Sequence, residues 1–173
     1  MSDQVIQHPA PTDACLVKVV LNFGIGADEN KQVLVLRFLG MILPGRTPVV
    51  SRSRQTNKEF GIKKGQVVGL HLTVRRAEAA ELLRRLIQSR KLIPRYSITA
   101  EGVFSFGIEN VNYVQGIDLQ SSERLGADVC VTYRRPGERV RFRRRGRTTP
   151  PHHHYPTVEQ IAQKIIEMGV RCE

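Results

Sequence analysis

Acidic residues are scarce in this sequence, tryptophan is absent, cysteines number only three, and no apolar run comes near the length of a membrane span. Each shortage excludes something. A helix crossing a bilayer needs about 20 consecutive apolar residues, so no such helix is expected. Cys15, Cys130 and Cys172 are scattered and odd in number, which argues against a disulfide-built scaffold and fits a reducing, intracellular compartment. Met1 to Ala14 is polar and slightly acidic, without a basic start or an apolar centre, and does not read as a secretion signal. No Ser/His/Asp arrangement, carboxylate pair or ligand-spaced Cys/His set is visible, so neither a catalytic centre nor a cofactor is expected.

What is abundant is positive charge. Lys and Arg total 27 against 16 acids, a net of +11 over 173 residues, of which 40% are hydrophobic. That length and apolar content suit one ordinary domain with a real core. The charge is segregated. Arg46–Lys64 carries a net of +5, Arg75–Arg95 another +5, and Arg134–Arg147 carries +7, so the rest of the chain is net negative. Basic patches of this kind suit a polyanion with a defined footprint. A membrane surface is the competing polyanion, but no helix pairs a basic face with exposed Trp or Phe. Nucleic acid is the favoured partner, and no membrane association is expected.

Apolar periodicity orders the chain. Residues 1–14 read as a flexible arm, because Pro9 and Pro11 discourage regular structure. Leu16–Asn22 reads as a strand with Val17, Val19 and Leu21 on one side. Asp28 then offers an N-cap for a helix to about Ile42, apolar on most sides and so expected to be well buried. Strands are expected at Thr47–Arg52 and Val67–Val74. The polar, basic stretch between them, residues 53–66, reads as a long mobile hairpin loop. An amphipathic helix over Arg76–Arg90 carries the stripe Ala79, Leu82, Leu83, Leu86 and Ile87, with Glu81 and Arg85 paired on its wet face. Strands follow at Val103–Ile108 and Ala127–Tyr133. A final helix starts from a capping box of Thr157 and Gln160, with Val158, Ile161, Ala162, Ile165 and Ile166 on one side. Strands and helices mix without strict alternation, which predicts an α+β domain over 15–134. A basic extension, 135–173, ends in that last helix.

Several motifs bear on chemistry. Phe23-Gly24-Ile25-Gly26 sits between a strand and a helix, but Glu29 stands where a dinucleotide fingerprint needs glycine. Two readings remain: a tight turn, or a gap that lets an RNA backbone approach near helix N–H groups. Ser51-Arg52-Ser53-Arg54, with Lys58, Lys63 and Lys64, sets hydroxyls and cations on a loop, the groups that contact phosphate. Arg141–Arg147 reads R-F-R-R-R-G-R, the composition of an arginine-rich RNA-binding segment, and equally of a nuclear-localisation patch. His152, His153 and His154 are adjacent and cannot easily converge on one ion, so a polar RNA-facing connector is preferred to a metal site. Phe104 and Phe106 share a face that reads as core, and Cys130 reads as packing.

Taken in order, K-V-V-L-N-F-G-I-G (18–26), L-P-G-R-T-P-V-V-S-R-S-R (43–54), F-G-I-K-K-G (60–65), F-S-F-G-I-E (104–109) and R-R-P-G (134–137) resemble one family. It is the universal 5S-rRNA-binding ribosomal protein of the large-subunit central protuberance, in its archaeal and eukaryotic branch. The resemblance covers about residues 15–170. It implies a two-layer fold, a mixed and mostly antiparallel sheet with helices on one side, loosely like an RNA-recognition motif. It implies a structural role in translation, binding 5S rRNA and large-subunit rRNA, with cytoplasmic ribosomes as the location and nucleolar assembly in a eukaryote. By matching position, rRNA contacts would fall on Lys18, Asn22, Gly24, Gly26, Ser51, Arg52, Ser53 and Arg54, joined by Arg141, Arg143, Arg144 and Arg145 of the basic tail. Gln55, Lys58, Lys63 and Lys64 would reach the peptidyl-site tRNA. Asn110, Asn112 and Tyr113, in a region running to about Leu119, would bridge to a small-subunit head protein. A second 5S-binding ribosomal protein is a further implied partner. A free-standing RNA chaperone or regulator with the same basic surfaces is the alternative; an RNA-processing enzyme would need chemistry the sequence does not offer.

Overall fold

The computed structural model describes residues 13–26, 28–90, 92–114, 124–151 and 154–172. In chain order these form β1 (Cys15–Gly24), α1 (Glu29–Ile42), β2 (Val49–Arg52), β3 (Val67–Arg75), α2 (Ala77–Ile87), β4 (Leu92–Ile93), β5 (Val103–Ile108), β6 (Ala127–Arg134), α3 (Val158–Glu167) and β7 (Arg171–Cys172). The apolar strand β1 lies at the centre of a five-stranded sheet of order β2-β3-β1-β6-β5, antiparallel at every pairing. The parallel pairing is confined to the short β4–β7 ribbon.

Register makes the two faces of the sheet chemically different. Val74, Val19, Val131 and Phe104 form one row across β3, β1, β6 and β5; Leu72, Leu21, Val129 and Phe106 form the next. All eight are buried, and the three helices cover this face. α1 contributes Val35, Phe38, Leu39 and Ile42, with the Phe38 ring edge-on to Phe23 at 5.6 Å. The α2 stripe is buried as its periodicity predicts, and α3 adds Ile161, Ala162 and Ile165 to the same core. Each fully buried Val, Leu, Ile or Phe among them stabilises the fold by about 1.5–3 kcal/mol relative to exposure. The architecture is therefore α+β in two layers, one of helices and one of sheet.

Three expectations need correction. Val17 does not share a face with Val19 and Leu21. A bulge shifts the register between Leu16 and Lys18, so Leu16 turns inward and Val17 is left exposed. α1 is not buried on most sides: Val33, Leu36 and Met41 are 50%, 44% and 52% exposed. A helix lying on one sheet face buries a single stripe, and among the described residues no second layer covers the outer one. Ile166 is likewise exposed, about 100° around the helix from Ile165. The capping signals are realised as expected. Asp28 accepts from the Asn30 amide at 3.0 Å, and Thr157 and Gln160 form the reciprocal capping box.

Candidate nucleic-acid interface

The face of the sheet turned away from the helices is polar. Alternation along β1 puts Lys18, Val20, Asn22 and Gly24 on it, and the pairing aligns them with residues from neighbouring strands. Lys18 lies between Arg75 and Thr132, and Asn22 between His71 and Asp128. Gly24 faces Gly69, and Gly69 faces Ser51. Ser51 Oγ and His71 Nδ1 are 3.3 Å apart. Lys18, Asn22, Gly24 and Ser51, named separately from sequence, thus share one face.

The glycines differ in kind. Gly26 has φ +67°, the left-handed region, and its amide and that of Ile25 donate to the Val68 carbonyl at 3.2 and 3.0 Å. It is a turn residue by conformation, which also docks the turn against the base of the β2–β3 hairpin. Gly24 has no such φ, and a Cβ built there would meet nothing within 4 Å. Its missing side chain leaves a shallow opening between Asn22 and Ser51. The helix end beyond the turn is not a free amide nest, because the Asp28 carboxylate occupies it.

Residues 53–66 form the hairpin end beyond β2 and β3. The Ser53 amide donates to the Gln66 carbonyl at 2.8 Å, and Asn57 and Ile62 exchange backbone bonds of 2.8 and 2.9 Å. Thr56 Oγ1 accepts from the Lys64 amide, and Gln66 Oε1 accepts from the Lys63 amide. Arg52 and Ser53 bond to this scaffold, Arg52 Nη1 donating to the Gly65 carbonyl at 3.1 Å and Ser53 Oγ to that of Gln55 at 2.6 Å. The side chains of Arg54, Lys58, Lys63 and Lys64 are exposed and make no hydrogen bond or ion pair among the described residues. Gln55 is exposed beside them. At the tip stands Phe60, 69% exposed. Sequence reasoning passed over it; the available signal was an aromatic residue in a polar loop with nothing to pack on.

The arginine-rich segment lies at the other end of β1, since Arg134 pairs with Cys15. The sequence-named cations therefore form two clusters, with Lys18 and Arg75 on the face between them, rather than one patch. The sequence marked this stretch as an arginine-rich RNA-binding segment, and within it the fold ties some arginines down and leaves others exposed. Glu138, buried on a short 3-10 turn (Glu138–Arg141), pairs with Arg134 at 2.6 Å. Arg141 reaches Glu101 at 3.4 Å and the Tyr155 hydroxyl at 3.3 Å. Arg135 donates to Gln160, and Arg143 Nε donates to the Gly146 carbonyl at 2.8 Å. Arg144 and Arg145 are exposed and without partners among the described residues.

Asn110, Asn112 and Tyr113 sit on a 3-10 turn after β5, across the sheet from the hairpin. Asn110 caps it, accepting from the Asn112 amide at 3.1 Å, while buried Val111 anchors it through the Leu125 carbonyl. Tyr113 points outward and exposed. The rest of the expected bridge region, 115–119, lies outside the described residues, as do His152, His153 and most of the N-terminal arm. Among the described residues no group of three His, Cys, Asp or Glu side chains is placed to hold a metal. The Cys130 thiol has its pKa pushed up, by burial first and then by Asp128, which makes it a poor nucleophile at neutral pH. No helix of the described residues is long and apolar enough to cross a membrane.

Comparison with characterised proteins adds relatives from archaea. The chain is 33% identical over 163 residues to large ribosomal subunit protein uL5 of Cenarchaeum symbiosum, a match covering 90% of this chain and 93% of the relative. It is 31% identical to the protein of the same name from Archaeoglobus fulgidus, over 93% of this chain and 90% of that one. The Pyrobaculum aerophilum protein of that name is 33% identical over 160 residues. No family model matches.

Proposed function

Because the chain belongs to the uL5 family of large ribosomal subunit proteins, we propose that it fastens 5S rRNA to large-subunit rRNA at the central protuberance through its open sheet face. Membership makes it a structural ribosomal protein of the cytoplasmic ribosome and not an enzyme. The observation that carries the finer reading is the shared face: Lys18, Asn22, Gly24 and Ser51 all lie on it, and Gly24 and Ser51 sit beside a hairpin whose cations are exposed. A polar sheet face with open space at Gly24 suits close approach of a sugar-phosphate backbone, and the flanking cations suit phosphate contacts that position without reading sequence.

The hairpin end, Gln55 with Lys58, Lys63 and Lys64, reaches the peptidyl-site tRNA in this reading. The Asn110–Tyr113 turn meets a protein of the small-subunit head, and a second 5S-binding ribosomal protein sits alongside. Nucleolar assembly follows if the source is eukaryotic. Changing Lys58, Lys63 and Lys64 together to alanine tests the division of labour. Folding and 5S affinity stay near wild type, while tRNA occupancy of the peptidyl site on purified ribosomes falls. If 5S affinity drops and occupancy does not, the loop has been assigned to the wrong RNA. The binding reading itself requires 5S affinity to fall with salt, at a log–log slope of about 0.7–0.9 per phosphate contact. A free-standing RNA chaperone would be separated by sedimentation, where a ribosomal constituent tracks stoichiometrically with the large subunit.

A further inference from the structure

Of the six phenylalanines in the sequence, Phe23, Phe38, Phe104 and Phe106 are buried in the core, while Phe60 and Phe142 are exposed. Both exposed rings lie inside basic segments. A largely exposed aromatic ring contributes little to folding through burial. Phe142 is the more constrained of the two. Its amide donates to the Arg139 carbonyl at 3.0 Å, fixing it at the end of the 3-10 turn. The guanidinium carbons of Arg134 and Arg141 lie 5.2 and 5.8 Å from its ring centroid, within cation–π range. Those arginines are themselves held, one by buried Glu138 and the other by Glu101 and Tyr155. Their side chains are only 19% and 30% exposed, whereas Phe142 is 62% exposed. The ring is thus the open member of a fixed group, with Arg144 and Arg145 exposed and without partners among the described residues.

We infer that Phe142 is a stacking platform for an unpaired RNA base, with Arg144 and Arg145 holding the adjoining phosphates. This rests on the RNA-binding reading above and adds to it a base-contacting site outside the open sheet face. Arginine and lysine contacts to phosphate are indifferent to whether a base is present, whereas stacking is lost with the base. The platform gives the arginine-rich segment a preference for single-stranded or bulged nucleotides that charge alone cannot supply.

The test uses the full chain and two probes of equal charge in about 0.15 M salt: a nine-nucleotide adenosine RNA strand, and the same strand built from abasic sugar-phosphate. Wild-type protein binds the adenosine strand more tightly. Phe142→Ala lowers adenosine-strand affinity by about 5- to 150-fold, the usual worth of one base–aromatic stack, and leaves the abasic strand unchanged. Phe142→Tyr restores the preference. Arg144→Ala with Arg145→Ala weakens both strands alike. Thermal melting of each variant confirms that it is folded. Equal loss on both strands in Phe142→Ala would mean that the ring only props the two arginines and would overturn the inference. So would an unchanged preference, or a loss seen equally with a polyglutamate peptide, which would make the site a dock for acidic protein. A wild type that binds 5S rRNA but neither strand, or that binds both strands equally, would overturn this inference alone; failure to bind 5S rRNA as well would overturn the RNA-binding reading with it.

Discussion

Replacing Glu138 with alanine sets the charge of the arginine-rich segment against its order. By charge, Glu138 merely dilutes a cationic run, and its removal raises the net charge from +11 by one unit, which favours RNA. By structure, it is 7% exposed and pairs at 2.6 Å with Arg134, whose side chain is 19% exposed. Removing one partner of a buried pair strands the other and costs about 3–5 kcal/mol. The solvent that Arg134 retains relieves part of this, leaving roughly 2–3 kcal/mol. For a chain of 173 residues that corresponds to a fall in Tm of roughly 5–10 °C. Thermal denaturation followed by circular dichroism reads it. Affinity for the adenosine strand should fall despite the added positive charge, because Arg134 and the Phe142 ring lose their support. Replacing Arg134 and Glu138 together with Met and Gln should recover part of the lost stability, since no buried charge is then orphaned. A Glu138→Ala protein that melts within about 1 °C of wild type and binds RNA more tightly would refute the reasoning.

The two glycines of the β1–α1 turn should separate. Gly26→Val, forced into a left-handed φ of +67°, loses stability by at least about 1 kcal/mol, whereas Gly24→Val melts like wild type and binds 5S rRNA more weakly. Normal RNA affinity in folded Gly24→Val would leave that opening without a role. Tyr133 has its pKa pushed up to about 12, by burial first and then by the Glu167 carboxylate. The neutral phenol is favoured in the fold, so its stabilisation is full below the ordinary value near 10 and is lost as pH rises through 12. An absorbance titration should show one of the four tyrosines ionising late, and Tyr133→Phe should delete that component. Ile161→Ala should cost about 2–5 kcal/mol in chemical denaturation, because α3 shares the core of the sheet; a loss below about 1 kcal/mol would make the tail an appendage.

Local signals in the sequence specify much of this fold. The Asp28 cap, the Thr157–Gln160 box and the α2 stripe each depend on residues within a few positions, and each is present in the structure. Long-range features were not readable. The β4–β7 ribbon is two residues long and joins Leu92 to Arg171, too short to leave a periodic trace. The bulge at Val17 is a property of two strands, since it is Tyr133 and Thr132 on β6 that fix which β1 residues turn inward. The candidate site divides the same way. Lys18, Asn22, Gly24 and Ser51 could be named from motifs, but only strand register shows that they share a face. Glu138 looked like one acid among eight arginines, and its importance emerges only when a 3-10 turn brings it back to Arg134. Phe60 and Phe142 each stand alone in a polar, basic stretch, but it takes the structure to show that both rings are exposed.

In the proposed function the polar sheet face and its two flanking basic clusters hold RNA while the helical layer does not. Ultraviolet crosslinking of the chain within purified large subunits, with mass-spectrometric mapping of the modified peptides, addresses it residue by residue. Crosslinks should fall on Asn22–Gly26, Ser51–Arg54, the hairpin end near Phe60 and Arg141–Arg145, with none on the outer side of α2. Crosslinks concentrated on the outer side of α2, with the sheet face unmodified, would contradict it.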